Sequence, residues 1–266
     1  MDVAKIFKRT PYLADLKPGG KYVAKDMWKA GGVPMLLKTL LDGGYIHGNC
    51  LTVTGKTMRE NLKKVKFNSK QKVMRKYNNP LSHDGGVVGL KGNLAPQGAI
   101  VKVAGLKRLQ FTGRARCFDT EESAYKAVLK RKYKDGDIII IRYEGPKGGP
   151  GMPEMVMLTV ELQGRGLGKD VALITDGRFS GVSHGILIGH ICPEAADGGP
   201  LAAVQDGDTI VIDPVSRSLN VAIDDSELQQ RMGSIGPQDL PSTLPQGSVL
   251  RRYAQHVSSA HYGCVQ

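Results

Sequence analysis

The sequence predicts an α/β fold with most of its strands in the second part of the chain. From residue 79 onward, short apolar runs alternate with glycine-containing turns and with segments of helical character. The predicted strands are residues 87–90, 99–103, 137–143, 170–174, 186–191, 209–212 and 218–223. Because residues 1–78 lack this pattern, we predict one piece at 1–78 and a β-rich α/β domain at 79–266.

In the first piece, helices are predicted from their start signals. Residues 1–20 are rich in proline and glycine and are predicted to be irregular. A short helix is expected near Asp26 and a second from about Val33, because Pro34 suits a first helical turn. A third helix is expected from about Thr57.

In the second piece, three further helices are predicted. Asp119 and Glu122 have the spacing of a capping box, which predicts a helix that continues to about Arg131. Another is expected after Pro153. The segment GSVLRRYAQHVSSA (247–260) predicts the last helix.

Composition and charge restrict the classes of function. The chain has 266 residues, of which 41% are hydrophobic and 23% are charged, as is usual for a globular protein. It holds no apolar run of 18 residues and no secretory signal, so no membrane partner is expected. The net charge of +12 suggests an anionic substrate or a nucleic acid. The basic segment 61–79 has scattered aromatics and no RNA-binding signature, so a solvated connecting segment is favoured.

The four cysteines give no pairing signal. Cys50, Cys117, Cys192 and Cys264 are far apart, and no CxxC pair occurs. This spacing indicates neither a zinc site nor a disulfide framework, and favours thiols in a reducing compartment.

Three glycine-rich loops are the candidate functional segments. They are residues 85–99, 142–155 and 175–185, and each mixes glycine with charged or hydroxyl side chains. Because glycine lets a backbone approach a ligand closely, three such loops in one domain suggest a shared site.

Two residues in these loops have both a structural and a functional interpretation. Glu154 follows Pro153, which suits either a helix start or a carboxylate that binds a hard cation such as Mg²⁺. Ser180 either caps a turn or acts in catalysis. The motif is not a G-x-S-x-G nucleophile elbow, because Arg178 stands where the first glycine would be.

Motifs along nearly the whole chain resemble the dihydroxy-acid dehydratase family, which includes the sugar-acid and phosphogluconate dehydratases. They are TPYLADLKPGGKY, GGVPMLLKTLL, LTVTGKTMRENL, GNLAPQGAIVK, RYEGPKGGPGMPEM, TDGRFSGVSHGILIGHICPEAADGGPLAAVQDGD and SSAHYGCVQ. Members are about twice this long. The resemblance therefore implies the C-terminal half: a β-barrel-like, swivelling α/β domain preceded by the tail end of an N-terminal α/β domain that binds the cluster.

The resemblance also implies a reaction and its cofactors. The family removes water from 2,3-dihydroxy acids to give 2-keto acids, using Mg²⁺ and an iron–sulfur cluster of the [2Fe–2S] or [4Fe–4S] type. None of the four cysteines matches the cluster motifs, so the cluster ligands are expected in the missing N-terminal half. This chain alone is then expected to be incomplete and inactive.

Four site residues are transferred by the resemblance. Ser180 matches the catalytic serine whose alkoxide acts as the base, and Glu154 matches a carboxylate that reaches Mg²⁺. Ser183 is expected near the substrate. Arg178 either orients the substrate carboxylate or pairs with Asp176, with the pairing favoured.

The motif TDGRFSG resembles the branched-chain amino-acid pathway enzymes more than the sugar-acid enzymes. A homodimer in the cytoplasm, or in an organelle matrix if the source is eukaryotic, is expected, with a small dihydroxy acid as substrate. A sugar-acid dehydratase and a polyanion-binding fragment remain alternatives, although nucleic acid is not the expected partner.

Overall fold

The computed structural model describes residues 2–106, 109–166, 171–180, 183, 185–235 and 244–266. Two compact units follow one another along the chain, Asp2–Gly86 and Val87–Gln266. In these described residues, no helix has both the length and the apolar character that crossing a bilayer requires.

The first unit is helical. Its helices are α1 (Asp2–Arg9), α2 (Ala24–Lys29), α3 (Gly32–Asp42) and α4 (Met58–Leu62). The Thr57 side chain accepts a hydrogen bond from the Glu60 N–H and thereby caps α4, as the sequence predicts. The prediction of an irregular start is wrong for Asp2–Arg9, because proline and glycine are concentrated beyond this segment.

The basic segment 61–79 is more than a solvated connection. Val73 and Met74 are buried with Met27 and Met35 in the core of the first unit. The Asp15 N–H donates to the Val73 carbonyl at 2.8 Å, which ties the segment to the rest of the unit. Its lysines are exposed, so the charge faces solvent while the apolar residues pack.

The second unit is built around a closed β-barrel. The described strands are β1 (Val87–Gly92), β2 (Ala95–Lys102), β3 (Phe111–Phe118), β4 (Ile138–Ile141), β5 (Ala172–Thr175), β6 (Leu187–Cys192), β7 (Thr209–Asp213) and β8 (Ser218–Val221). They close in the order β1-β2-β6-β5-β4-β3-β7-β8. The α/β class that the sequence pattern predicts and the barrel-like character that the resemblance implies are thus confirmed.

Four neighbouring strands of the barrel are parallel. β3 pairs with β4, β4 with β5 and β5 with β6, all in parallel. All residues of β4 and β5 are buried, because these strands face the barrel interior on one side and helices on the other. The interior is filled by apolar side chains such as Leu90, Val101, Ile140, Ile174 and Ile210.

Each of the seven predicted strands overlaps an observed one, but β3 was not predicted. Its sequence FTGRARCF has no continuous apolar run. Phe111 and Ala115 are buried, whereas Arg114 between them is exposed. The strand was missed because arginine occupies its outer face and glycine stands at position 113, so its sequence lacks the usual signal of a strand.

Helices α5 (Glu121–Leu129) and α6 (Val156–Gly164) pack together on the parallel strands. The predicted capping box is wrong at the cap: Thr120, not Asp119, accepts the Ser123 N–H. The Asp119 carboxylate instead accepts from the Arg142 guanidinium at 2.6 Å. Helices α7 (Asp225–Gly233) and α8 (Val249–His256) follow, and Ser248 caps the predicted last helix.

Candidate active site

The candidate site lies at the carboxyl ends of β4, β5 and β6. Since these strands are parallel, the segments that follow them begin at the same end of the barrel. They include residues 142–155 after β4 and 176–180 after β5. Crevices at the carboxyl ends of parallel strands are common ligand sites in α/β proteins.

Asp176 joins the segments that follow β4, β5 and β6 to one another. It is fully buried, and its carboxylate accepts the backbone N–H groups of Tyr143, Glu144 and Ala195 at 3.1, 3.0 and 2.9 Å. Burial raises the pKa of Asp176, while the three donors act in the opposite direction. A buried donor without an acceptor costs about 1–3 kcal/mol, so this carboxylate is a structural anchor.

Glu194 anchors the loop after β4 from the other side. Its carboxylate accepts the Lys147 N–H and the Gly148 N–H at 3.0 Å each. The Lys147 ammonium group also reaches Asp197, at 2.6 Å. Burial raises the pKa of Glu194 to about 7, with the Asp176 charge adding to the effect and the backbone donors opposing it.

Arg178 and Glu154 lie on adjacent backbones. The two residues form an isolated parallel β-bridge, and the Arg178 Nε donates to the Met152 carbonyl at 2.6 Å. The predicted pairing of Arg178 with Asp176 is wrong, because backbone N–H groups occupy the Asp176 carboxylate and Arg178 bonds to Met152. The bridge brings the PGMPEM and GRFSG loops together.

Glu154 is exposed and precedes α6 rather than lying within its first turn. Met155 is the residue before the helix, so the interpretation of Pro153 and Glu154 as a helix start is wrong. Among the described residues, no hydrogen bond or ion pair occupies the Glu154 carboxylate. The carboxylate is therefore available to a cation from solvent.

Ser180 and Ser183 lie beyond the carboxyl end of β5. Ser180 is partly exposed, Ser183 is buried, and the Ser183 N–H donates to the Ser180 carbonyl at 3.2 Å. Residues 181, 182 and 184 lie outside the described part of the chain. Ser180 directly follows the segment that Asp176 and Arg178 hold.

Glycine in these loops allows neighbouring backbones to pack closely together. A Cβ at Gly177 would lie 2.7 Å from the Glu144 carbonyl oxygen and 2.9 Å from the Met155 Cε, so no larger residue fits. The first glycine-rich segment includes β1 and the start of β2, where Gly98 pairs with Cys192 at the end of β6. Its tip is bound elsewhere, because the Asn93 amide donates to the Val221 carbonyl of β8.

Backbone strain is concentrated at this end of the barrel. Six described non-glycine residues have φ in the left-handed region, and four of them belong here: Tyr143, Met152, His190 and Cys264. Such conformations cost about 1–3 kcal/mol each and cluster at functional sites. The sulfur atoms of Cys264 and Met152 are 3.6 Å apart, so the C-terminal segment packs against the loop that carries Glu154.

The donors in this chain do not suit an iron–sulfur cluster. Burial raises the pKa of Cys117 to about 12 and that of Cys192 to about 11, so both thiols lie in apolar surroundings that disfavour the thiolate form which cluster ligands adopt. Cys50 belongs to the other unit. Within the described ranges, no three His, Cys, Asp or Glu side chains form a metal-binding group. The exposed Glu154 carboxylate is an oxygen donor of the kind that Mg²⁺ prefers.

Comparison with known proteins identifies the family. The model described as "Dihydroxy-acid/6-phosphogluconate dehydratase C-terminal" matches residues 72–264, and the corresponding N-terminal model matches residues 1–61. The chain belongs to the dihydroxy-acid/6-phosphogluconate dehydratase family. The resemblance predicted from the motifs is thereby confirmed.

Individual relatives carry the name dihydroxy-acid dehydratase. The protein of that name from Pelagibacter ubique (strain HTCC1062) is 64% identical over 263 residues, which are 99% of this chain and 46% of the relative. "Dihydroxy-acid dehydratase 2" of Mesorhizobium japonicum is 57% identical over 99% of this chain and 44% of its own length. The Saccharolobus islandicus (strain M.14.25 / Kamchatka #1) protein is 47% identical over 99% of this chain and 47% of its own length. The chain thus spans about half the length of these curated relatives.

Sequence reasoning missed the two anchoring acids of the candidate site. Asp176 directly follows the apolar run of β5, and Glu194 follows Cys192 and Pro193 at the end of β6. An acid placed immediately after a buried parallel strand was the available signal. The sequence could not indicate that both carboxylates would be used by backbone N–H groups.

Proposed function

We propose that this chain provides the C-terminal half of a hydro-lyase that converts 2,3-dihydroxy carboxylic acids to 2-keto acids in branched-chain amino-acid biosynthesis. The observation that carries the proposal is the β-bridge between Glu154 and Arg178, which joins the two loops that hold the candidate catalytic residues. Family membership and relatives named dihydroxy-acid dehydratase support the choice of reaction.

The reaction needs a base at C2 and a route for the hydroxide at C3. The C2–H bond breaks and its proton passes to the base, while the C3–O bond breaks and the hydroxyl group leaves as hydroxide. The hydroxide takes up one proton to become water, which balances the proton removed from C2 and returns the base to its starting form. The resulting enol then moves its hydroxyl proton to C3 and becomes the 2-keto acid. One water is lost, and no external oxidant or reductant is required.

Ser180 is proposed as the base at C2. A serine hydroxyl is a weak base, so positive charge must stabilise its alkoxide. The exposed Arg178, two residues away, supplies one such charge and is proposed to hold the substrate carboxylate. Ser183 is proposed to hydrogen-bond the substrate from the same loop.

Glu154 is proposed to bind Mg²⁺ together with ligands from outside this chain. A bound Mg²⁺ would stabilise negative charge on substrate oxygens. This chain contributes the exposed Glu154 carboxylate. The backbone at Glu154 is positioned by its β-bridge with Arg178, in which the Met155 N–H donates to the Arg178 carbonyl. An iron–sulfur cluster is assigned to the missing half, since the donors of this chain do not suit one.

The domain assignment is also a proposal. Residues 1–78 are taken as the remnant of the N-terminal, cluster-binding α/β domain, and residues 79–266 as the swivelling C-terminal domain. The family models change between residues 61 and 72, and the compact units change at Gly86, which supports a division in this region. We further propose a homodimer in the cytoplasm, or in an organelle matrix of a eukaryote.

The proposed function is tested with a chimaera in which this chain replaces the matching half of the Pelagibacter ubique relative. We expect keto-acid formation from 2,3-dihydroxyisovalerate, and little from gluconate or 6-phosphogluconate. Preference for a sugar acid would favour the alternative substrate class. A chimaera that binds iron and sulfide but turns over none of these acids would contradict the proposal.

A further inference from the structure

A second concave surface lies at the opposite end of β4 from the candidate active site. It is a groove of about 590 Å³ that immediately precedes Ile138, whereas the catalytic loop follows Ile141. The groove is lined by five basic residues and one aromatic residue, with a single acid: Arg114, Arg116, Arg131, Lys132, Lys134, Tyr133 and Asp137, together with Ala115 and Gly207. None of these residues belongs to the site described above.

The backbones that carry the basic residues are fixed. Arg114 and Arg116 stand on the outer face of β3, because Ala115 between them is buried in the barrel. The loop after α5 is closed by hydrogen bonds from the Lys132 N–H to the Ala127 carbonyl at 2.9 Å and from the Lys134 N–H to the Asp137 carboxylate at 2.8 Å.

Much of the positive charge in the groove is not neutralised within the described residues. Arg116 lies 3.6 Å from Asp206, and the Arg114 guanidinium donates to the Gly207 carbonyl. By contrast, no described carboxylate lies within ion-pair distance of Lys132 or Lys134. Both lysine residues are exposed.

We propose that this groove is a second binding site, separate from the catalytic end, for a small phosphate-bearing ligand of nucleotide size. Arginine and lysine on fixed backbones match the oxygens of a phosphate chain. Cavities of about 300–1,000 Å³ suit ligands of this size. Tyr133 offers one aromatic face beside the cations for a flat apolar part of the ligand.

The shape of the groove favours a small ligand over a nucleic acid strand. Binding of a strand without sequence preference uses several aromatic side chains along a basic track, so that successive bases can stack. The groove has one aromatic residue, and its cations surround a single cavity. Part of the net charge of +12 then serves a local anion site.

Calorimetric titration of the full chain tests the proposal. The probes are ATP, inorganic pyrophosphate, adenosine and a 20-nucleotide RNA, each at low and at moderate salt. We expect ATP and pyrophosphate to bind, adenosine to give no measurable heat, and affinity to fall with salt. Lys132→Ala combined with Lys134→Ala should weaken ATP binding about tenfold, because two charge-assisted contacts are lost.

The matched control is Lys63→Ala combined with Lys64→Ala, which removes the same charge from the first unit. It should leave the Kd for ATP within about twofold. If both double variants weakened ATP binding equally, the effect would come from net charge alone, and the proposal would be overturned. So would a failure of ATP and pyrophosphate to bind at millimolar concentration, or binding of RNA alone. Urea unfolding of each variant verifies that the fold is retained.

Discussion

At the scale of single residues, the acids of the candidate site divide into two kinds. Asp176 and Glu194 are buried, and backbone N–H groups use their carboxylates. Glu154 is exposed, and none of the described residues satisfies its carboxylate. Substitution of the buried acids should therefore reduce stability, whereas substitution of Glu154 should change ligand binding.

Glu154→Gln should weaken Mg²⁺ binding in the chimaeric enzyme. The amide removes one negative charge from a hard-cation site, so Mg²⁺ affinity should fall by roughly one order of magnitude. Excess Mg²⁺ should restore part of the activity. Calorimetric Mg²⁺ titration and an activity titration measure the two effects.

The control for this prediction is Glu122→Gln, an exposed glutamate on α5 that pairs with Lys126. It has the same charge change and should leave Mg²⁺ affinity unaltered. Unchanged Mg²⁺ binding in Glu154→Gln would remove Glu154 from the proposed metal site.

The roles of single residues were only partly predictable from sequence. The motifs around Ser180 and Glu154 indicated which loops to examine, and these two loops do lie side by side. The partner of Arg178 was predicted wrongly, because Asp176 is close in sequence, whereas in the fold three backbone N–H groups donate to its carboxylate. Backbone hydrogen bonding depends on tertiary contacts that local sequence does not encode.

At the scale of secondary-structure elements, the site depends on how the ends of β4, β5 and β6 are joined. Glu194 after β6 holds the backbone at Lys147 and Gly148 in the loop after β4. Its pKa is raised to about 7 from an ordinary value of 4.5. The folded protein thus binds a proton at this residue that the unfolded chain releases in the same pH range.

This pKa shift predicts a pH dependence of stability. An acid with a raised pKa in the folded state contributes to the free energy of unfolding. This contribution is full below pH 4.5 and is lost as pH rises through about 7. The loss amounts to about 3 kcal/mol, at about 1.4 kcal/mol for each pKa unit. Urea unfolding at pH 5 and pH 8 should show a smaller decrease in Glu194→Gln than in the unaltered chain.

The same Glu122→Gln variant serves as a control, because Lys126 lowers the pKa of this exposed residue. It should not flatten the decrease between pH 5 and pH 8. A decrease that is identical in Glu194→Gln and the unaltered chain would refute the role of Glu194.

Strands were more predictable than helix starts. The apolar runs of β4 and β5 are continuous because both faces of each strand are buried. The start of α5 was misplaced by one residue, since Asp119 and Thr120 are both good caps and only the contact between Asp119 and Arg142 decides between them. Strand β3 was missed because arginine alternates with small residues along it.

At the scale of the whole molecule, the chain consists of two units with different character. Asp2–Gly86 has short helices and a small core, whereas Val87–Gln266 has a closed barrel with a large one. The sequence indicated this change near residue 79, where short apolar runs begin to alternate with glycine-containing turns. We propose that the first unit packs poorly without the rest of its domain.

Limited proteolysis with trypsin should cut the first unit before it cuts the barrel unit. The first cuts are expected between residues 61 and 79, where Lys64 and Lys70 are exposed and the backbone beyond Leu62 forms no described helix or regular strand. The barrel should survive longer, because its backbone is hydrogen-bonded into strands. Equal resistance of both parts, read by mass spectrometry, would count against the division.

The central claim is that Ser180 takes the C2 proton in a site built from the two joined loops. The most direct measurement is the kcat of Ser180→Ala in the chimaeric enzyme, beside Ser216→Ala in the exposed turn between β7 and β8. Loss of a general base lowers the rate about 10²–10⁴-fold and affects ground-state binding less. We predict this fall in kcat for Ser180→Ala, with substrate binding retained, and near-normal kcat for Ser216→Ala. A near-normal kcat in Ser180→Ala would contradict the account and leave GRFSG as a structural turn.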